Sequence, residues 1–264
     1  MSPQQMATAS AELHAKIENR TATVGIVGMG YVGLPLAVAV FDAGFPVIGF
    51  DIDERKIEHL NNGTPYLKHL GSDFAKEFVD SERFVGTTSA ACLANADIIS
   101  LCVPTPLGVH NEPDLTYVLE STRAVAKILR KGQLVVLEST TYPGTTRDEM
   151  LPILEESGLI HGEDFFLAYS PEREDPGRKS ETTQSIPKLV GGIDKSSGSL
   201  AHAFYSTVVD NAHLVSSAEV AESAKLLENI YRAVNIALVN EMKLILGKLD
   251  IDIWEVVDAA ATKP

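Results

Sequence analysis

Apolar residues recur along this chain as short unbroken runs separated by stretches of helical spacing. Residues 24–27 form the first run, and 46–50, 96–103, 134–137 and 165–169 repeat it. Runs this short and continuous are what strands buried on both faces of a parallel sheet require. Between them the apolar positions fall three or four apart, as in Leu34, Leu36, Ala37, Val40 and Phe41, or Val118, Val125, Ile128 and Leu129. Strands alternating with helices predict an α/β protein with a doubly wound, mostly parallel sheet, whose ligands gather at the carboxyl ends of the strands.

The remaining elements follow from stop and start signals. Gly44 ends the first helix, and a short helix at 56–62 is broken by Gly63-Thr64-Pro65. A short strand is expected at 82–88, then a small helix ending near Ala94. Asp114 caps a helix closing at Lys131-Gly132, and another helix covers 145–156. Residues 172–187 form a long polar loop, consistent with a lid. A strand at 188–192, a helix capped by Asp194 and a strand at 212–215 complete the sheet. From about 218 to 249 one long helix carries Leu226, Ile230, Val234 and Leu238 as an apolar stripe, and a second helix spans 253–260. The expected organisation is a polar N-terminal extension at 1–22, a nucleotide-binding sheet domain at 23–216 and the start of a helical, dimer-forming domain at 217–264.

Candidate chemistry concentrates where the first strand ends. Gly28, Gly30 and Gly33 are spaced G-x-G-x-x-G, with Met29, Tyr31 and Val32 between them. In a strand–turn–helix context each glycine has a task. Gly28 makes the sharp turn, Gly30 lets a pyrophosphate approach the backbone, and Gly33 lets the helix sit close on the strand. The helix start offers N–H groups and a positive dipole end to phosphates. Asp51 ends the second strand near the offset of about 20 residues expected for an acid that binds the adenosine ribose hydroxyls. It would repel a 2′-phosphate, so NAD is favoured over NADP. Together these features predict a Rossmann-type cofactor domain.

Composition narrows the partners. Thirty-six acidic against 22 basic residues give a formal charge of −14, which argues against nucleic-acid and anionic-membrane surfaces. Residues 1–22 lack the apolar core of a secretory signal, and no run approaches a membrane span. Cys92 and Cys102 are too few for a disulfide framework and fit a reducing cytoplasm. The seven histidines lack metal-ligand spacing, so no metal site is expected.

Other residues admit two readings each. Glu222, Lys225 and Asn229 fall at i, i+3 and i+7, on one helix face. Lys225 and Asn229 can grip one oxyanion, or the face can be solvated with an ordinary ion pair. Glu172 is a general base or water-positioning group, or caps a turn. Thr140 hydrogen-bonds a substrate hydroxyl, or caps a turn. Cys92, Cys102 and Trp254 read as core.

Taken together, the strand tips resemble the nucleotide-sugar 6-dehydrogenase family, the UDP-glucose and UDP-N-acetylhexosamine dehydrogenases, across nearly the whole chain after the first twenty or so residues. Gly28 to Pro35 looks like the family's G-x-G-Y-V-G start, and Val103-Pro104-Thr105-Pro106 is similar to its cofactor-contacting segment. Glu138-Ser139-Thr140-Thr141-Tyr142-Pro143-Gly144-Thr145 resembles the segment supplying an active-site threonine. Ala224 to Asn229 is similar to the catalytic lysine and asparagine helix. Ser170-Pro171-Glu172-Arg173-Glu174-Asp175-Pro176-Gly177, with Ile186-Pro187-Lys188, looks like the N-acetylhexosamine branch, especially its UDP-N-acetylglucosamine enzymes.

The resemblance implies a two-step oxidation of the sugar C6 alcohol to a carboxylate with two NAD, through a cysteine thiohemiacetal and thioester. It assigns catalysis to Thr140, Glu172, Lys225 and Asn229. It assigns cofactor contacts to Gly28, Gly30, Tyr31, Val32, Gly33, Asp51, Lys56, Pro104, Thr105 and Ser139. A homodimer through the long helix and a cytoplasmic location follow. The nucleophilic cysteine and the UDP-binding domain are expected beyond residue 264, so the chain alone is predicted to lack turnover. The alternatives are oxidation of UDP-N-acetylmannosamine or UDP-glucose, and a non-catalytic NAD-binding module.

Overall fold

The structure, a computed structural model, describes residues 3–67, 70–71, 73–110, 112–173 and 183–263. The chain divides into two units, Met1–Ser223 and Ala224–Pro264.

The first unit is built on eight strands: β1 (Val24–Val27), β2 (Val47–Phe50), β3 (Phe84–Thr87), β4 (Ile98–Leu101), β5 (Gln133–Leu137), β6 (Phe165–Tyr169), β7 (Lys188–Gly192) and β8 (Ala212–Leu214). They lie side by side in the order β3-β2-β1-β4-β5-β6-β7-β8. Strands β3 to β6 are parallel to their neighbours, β7 runs antiparallel to β6, and β8 is parallel to β7. A parallel neighbour needs a crossover helix and an antiparallel one does not.

Register decides which residues meet at the sheet's edge. Val27 is opposite both Phe50 and Leu101, Leu101 is opposite Leu137, and Leu137 is opposite Tyr169. The residues that follow, Gly28, Asp51, Cys102, Glu138 and Ser170, therefore stand in one row. Side chains alternate across the sheet as the pleat demands. Val24, Ile26, Ile98, Leu134, Val136, Phe166 and Ala168 enter one buried layer. Val27, Ile99, Leu101, Val135, Leu137, Phe165, Leu167 and Tyr169 enter the other. Because both faces are covered, the strands are apolar at nearly every position.

Helices supply the cover: α1 (Pro3–Glu18), α2 (Gly33–Asp42), α3 (Glu54–Asn61), α4 (Asp73–Asp80), α5 (Thr116–Ala126), α6 (Leu151–Glu155) and α7 (Lys195–Tyr205). Three features depart from the pattern reading. Residues 3–18, read as polar extension, form a helix that packs against α7, with Leu13 and Ile17 buried one turn apart. An unexpected α4 buries Phe74, Ala75 and Phe78, and Phe78 stacks on Phe84 at 3.9 Å. The helix expected at 145–156 opens with a wider π-helical turn, Thr145–Met150, before α6. Pro152 has no N–H for the carbonyl four residues back, and the preceding turn adjusts.

The helix α8 (Ala218–Gly247) runs from the first unit into the second, which also holds α9 (Ile253–Ala260). Asp252 caps α9 by accepting from the Trp254 N–H. Trp254 was expected in the core; it is exposed, and α9 buries only Ile253.

Candidate functional site: a dinucleotide cradle at the strand tips

The glycine turn sits inside the row, where β1 is flanked by β2 and β4. Gly28 has φ +92°, a conformation that side chains disfavour, and a Cβ there would lie 2.7 Å from the Cys102 carbonyl oxygen. A Cβ on Gly33 would fall 1.8 Å from the Gly28 carbonyl oxygen, so only glycine lets α2 begin this close. Gly30 has no atom within 4 Å of its Cβ position, and the cradle is open there. Val32 precedes α2 without a side-chain cap; the Leu34 N–H donates to the Gly30 carbonyl at 3.1 Å and Pro35 has no N–H, which leaves the Gly33 N–H as the first-turn donor for a ligand. This cradle fits a pyrophosphate.

Asp51 does more than the sequence suggested. Its buried carboxylate accepts from the Met29 N–H and the Lys56 ammonium, each at 2.8 Å, through Oδ2, and from the Asp53 N–H at 2.9 Å through Oδ1. A carboxylate offers about four acceptor positions, so about one remains for a ribose hydroxyl. Asp51 thus braces the glycine turn, and Lys56 serves as its ion-pair partner. Tyr31 projects outward, and Val32 is half-buried.

The tips of β4 and β5 are tied together by two of the predicted cofactor contacts. The Thr105 hydroxyl donates to the Thr140 carbonyl at 2.7 Å, and the Ser139 hydroxyl donates to the Val103 carbonyl at 2.6 Å. Pro104 lies exposed between them. Beneath these tips is a group that motif reasoning missed. Glu138 is buried, and it accepts from the Lys188 ammonium at 2.6 Å and from the Tyr205 hydroxyl. Burial first, then the Glu138 charge, raises the Tyr205 phenol well above its ordinary range, so it remains a donor. Glu172 donates its backbone N–H to the Glu138 carbonyl at 3.3 Å. Its residue lines a cleft with Val32, Leu36, Glu138, Pro171 and Lys188. Residues 174–177 of the Ser170-to-Gly177 motif, and the middle of the expected lid, lie outside the described residues.

Thr140 is half-buried beside Thr141, whose buried hydroxyl faces the buried hydroxyl of Tyr169. Burial pushes the Tyr169 phenol up, and the charges of Glu222, Glu138 and Glu172 push it further. Three carboxylates therefore surround the tips of β5 and β6. Glu222 is spent locally: it accepts from the Gly144 N–H at 2.7 Å, the Thr146 N–H at 2.9 Å and the Thr146 hydroxyl at 2.7 Å. It caps the π-helical turn whose own cap position, Gly144, has no side chain. No local pattern signals this bond, because the partners are 76 and 78 residues apart. Lys225 and Asn229 lie in the second unit, one turn apart on α8. Among the described residues no group of three or more His, Cys, Asp or Glu is arranged to hold a metal, and no helix is long and apolar enough to cross a membrane.

A glycine turn without room for side chains, an acid bracing it from the next strand and an uncapped helix start define a dinucleotide-binding domain of the doubly wound class. The chain belongs to the UDP-glucose/GDP-mannose dehydrogenase family: residues 22–209 match its NAD binding domain and 219–264 its central domain. Its cofactor is accordingly NAD. The chain is 44% identical over 242 residues to protein CapL of Staphylococcus aureus, covering 91% of this chain and 56% of that protein. It is 39% identical over 242 residues to the UDP-N-acetyl-D-glucosamine 6-dehydrogenase of Pseudomonas aeruginosa, with the same coverage. The solved UDP-D-ManNAc dehydrogenase of Pyrococcus horikoshii superposes with a TM-score of 0.86 at 33% identity, over 92% of this chain and 58% of that one. The chain thus spans somewhat more than half the length of these relatives.

Proposed function

We propose that this chain is the cofactor-binding part of an NAD-dependent enzyme oxidising the C6 alcohol of UDP-N-acetylglucosamine to the uronic acid. The observation that carries the reading is the single row of strand tips, which brings the cradle of Gly28, Gly30 and Gly33 into line with Asp51, Thr105, Ser139, Thr140 and Glu172. The choice of sugar is supported by the 39% identity to the Pseudomonas enzyme and by the Ser170-Pro171-Glu172-Arg173 segment.

Two NAD molecules, bound one after the other, would supply the hydride acceptors for the two oxidations. The cradle and Asp51 would hold the dinucleotide, and Thr105 and Ser139 at the braced tips of β4 and β5 would contact it. In the first step C6 loses a hydride and its hydroxyl proton to give an aldehyde. A cysteine thiolate then adds to the aldehyde, and loss of a second hydride leaves a thioester that water cleaves to carboxylate and thiol. Lys225 and Asn229 stabilise the oxyanion at C6 in each step. Thr140 orders the water or hydroxyl, and Glu172 takes the proton from the attacking water. Cys102 is packed in the core and Cys92 lies on the 90–95 turn. The thiol is therefore assigned to the part of the relatives' length that this chain does not span. We also assign a homodimer contact to α8, supported by exposed Leu227, Ile230, Val234 and Leu238, and a cytoplasmic location.

UDP-N-acetylmannosamine is the second reading, supported by 34% identity to the Pyrococcus horikoshii mannosamine enzyme. The test is NADH production from UDP-N-acetylglucosamine, UDP-N-acetylmannosamine and UDP-glucose by an enzyme of the relatives' full length that contains this chain. Preference for the first supports the proposal, and preference for UDP-glucose defeats it. The 264 residues alone should produce no NADH from any of them.

A further inference from the structure

Met29 sits between two peptide groups that are each held by a side chain. The N–H of the first is bound by Asp51 at 2.8 Å. The carbonyl of the second accepts from the Tyr66 hydroxyl at 2.6 Å. The Met29 side chain is itself buried against Gly49. The peptide linking Met29 to Gly30 is trans, as are all among the described residues, so its carbonyl and its N–H point to opposite sides. Anchoring the carbonyl on Tyr66 therefore turns the Gly30 N–H the other way.

This restraint has a reason to exist. Glycine tolerates positive φ as readily as negative, so a peptide preceding glycine can rotate end over end at little steric cost. The glycine that lets a pyrophosphate approach thus also lets its own amide turn away. We propose that Tyr66 is a positioning residue for the cofactor, its hydroxyl holding the Met29–Gly30 peptide in the orientation that presents the Gly30 N–H to the pyrophosphate. Burial, and then the Asp51 and Asp53 carboxylates, raise the phenol above its ordinary range, so it stays a donor at any pH where the protein works. The inference rests on the cradle reading above.

The test is Tyr66→Phe in the 264-residue chain, with NAD and ADP-ribose affinities measured by calorimetry and adenosine binding by ligand-observed NMR. Loss of one neutral hydrogen bond to the turn predicts about five- to tenfold weaker binding of NAD and ADP-ribose. Adenosine, which has no phosphate to meet Gly30, should change less than about twofold by the same reasoning. Unchanged NAD affinity, or an equal loss for adenosine, overturns the proposal. A wild-type chain that binds no NAD defeats the cradle reading and this one with it. A second measurement needs no variant: ADP-ribose should slow hydrogen exchange at the Gly30 amide of the wild type, and adenosine should not. Equal exchange with both ligands overturns the assignment even if Tyr66→Phe fails to fold.

Discussion

Replacing Lys188 by methionine isolates the buried ion pair beneath the β5 tip. The lysine side chain is 9% exposed and that of Glu138 1%, with 2.6 Å between the charged atoms. At an effective dielectric of about 20, two unit charges that close attract by roughly 6 kcal/mol, most of which offsets the cost of removing both from water. Methionine keeps the apolar stem and removes the charge. Glu138 then retains the Tyr205 hydroxyl, a neutral donor inadequate for a carboxylate out of water. The expected cost is about 3–5 kcal/mol, a large share of the roughly 5–15 kcal/mol that holds a domain folded. Urea denaturation followed by circular dichroism measures it. Adding Glu138→Gln to Lys188→Met should recover most of the loss, because an amide can accept from Tyr205 without carrying charge. A single-variant cost below about 1 kcal/mol, or a double variant no better than the single, would refute the claim that the pair is buried and mutually dependent.

Other variants probe separate parts of the row. Gly33→Ala places a Cβ on the Gly28 carbonyl, so it should cost about 1–3 kcal/mol and weaken NAD binding more than tenfold, as read by denaturation and calorimetry. Glu222→Ala strips acceptors from three donors at Gly144 and Thr146 and should cost about 3 kcal/mol or more in denaturation, while Glu222→Gln keeps part of the bonding and should cost less. Asp97 is pushed up by burial, but hydrogen bonds from Lys16, Arg130 and the Thr23 N–H outweigh this and hold it below the usual carboxylate range. A lowered folded-state value means its stabilisation is complete above about pH 4 and is lost as pH falls through that lowered value. Urea stability of wild type and Asp97→Asn should therefore differ by a constant amount near neutrality and converge only in acid.

The parts legible in sequence were those encoded over short distances. Strands buried on both faces must be apolar throughout, so β1, β4, β5 and β6 announced themselves, and Phe165–Tyr169 and Lys188–Gly192 fell within their expected bounds. Gly28 and Gly33 were readable because steric demands leave no other residue there, and Gly30 by its spacing between them. Asp51 was readable as an acid at a strand end, but not as the brace of the turn, since that depends on which strands become neighbours. The same distance in sequence hid Glu138 with Lys188 and Tyr205, and Glu222 with Gly144. The helix α1 was missed because Leu13 and Ile17, buried among its described side chains, make too narrow a stripe to stand out among polar neighbours. Trp254 was misplaced because aromatic size argues for burial only where an element packs around it.

If the tips of β1 and β2 form a cradle for NAD, calorimetric titration of the wild-type chain will show it. One NAD should bind per chain, NADP should bind at least about tenfold more weakly because its 2′-phosphate meets Asp51, and Asp51→Asn should narrow that difference. A chain that takes up no NAD, or that binds NADP equally well, would contradict the account.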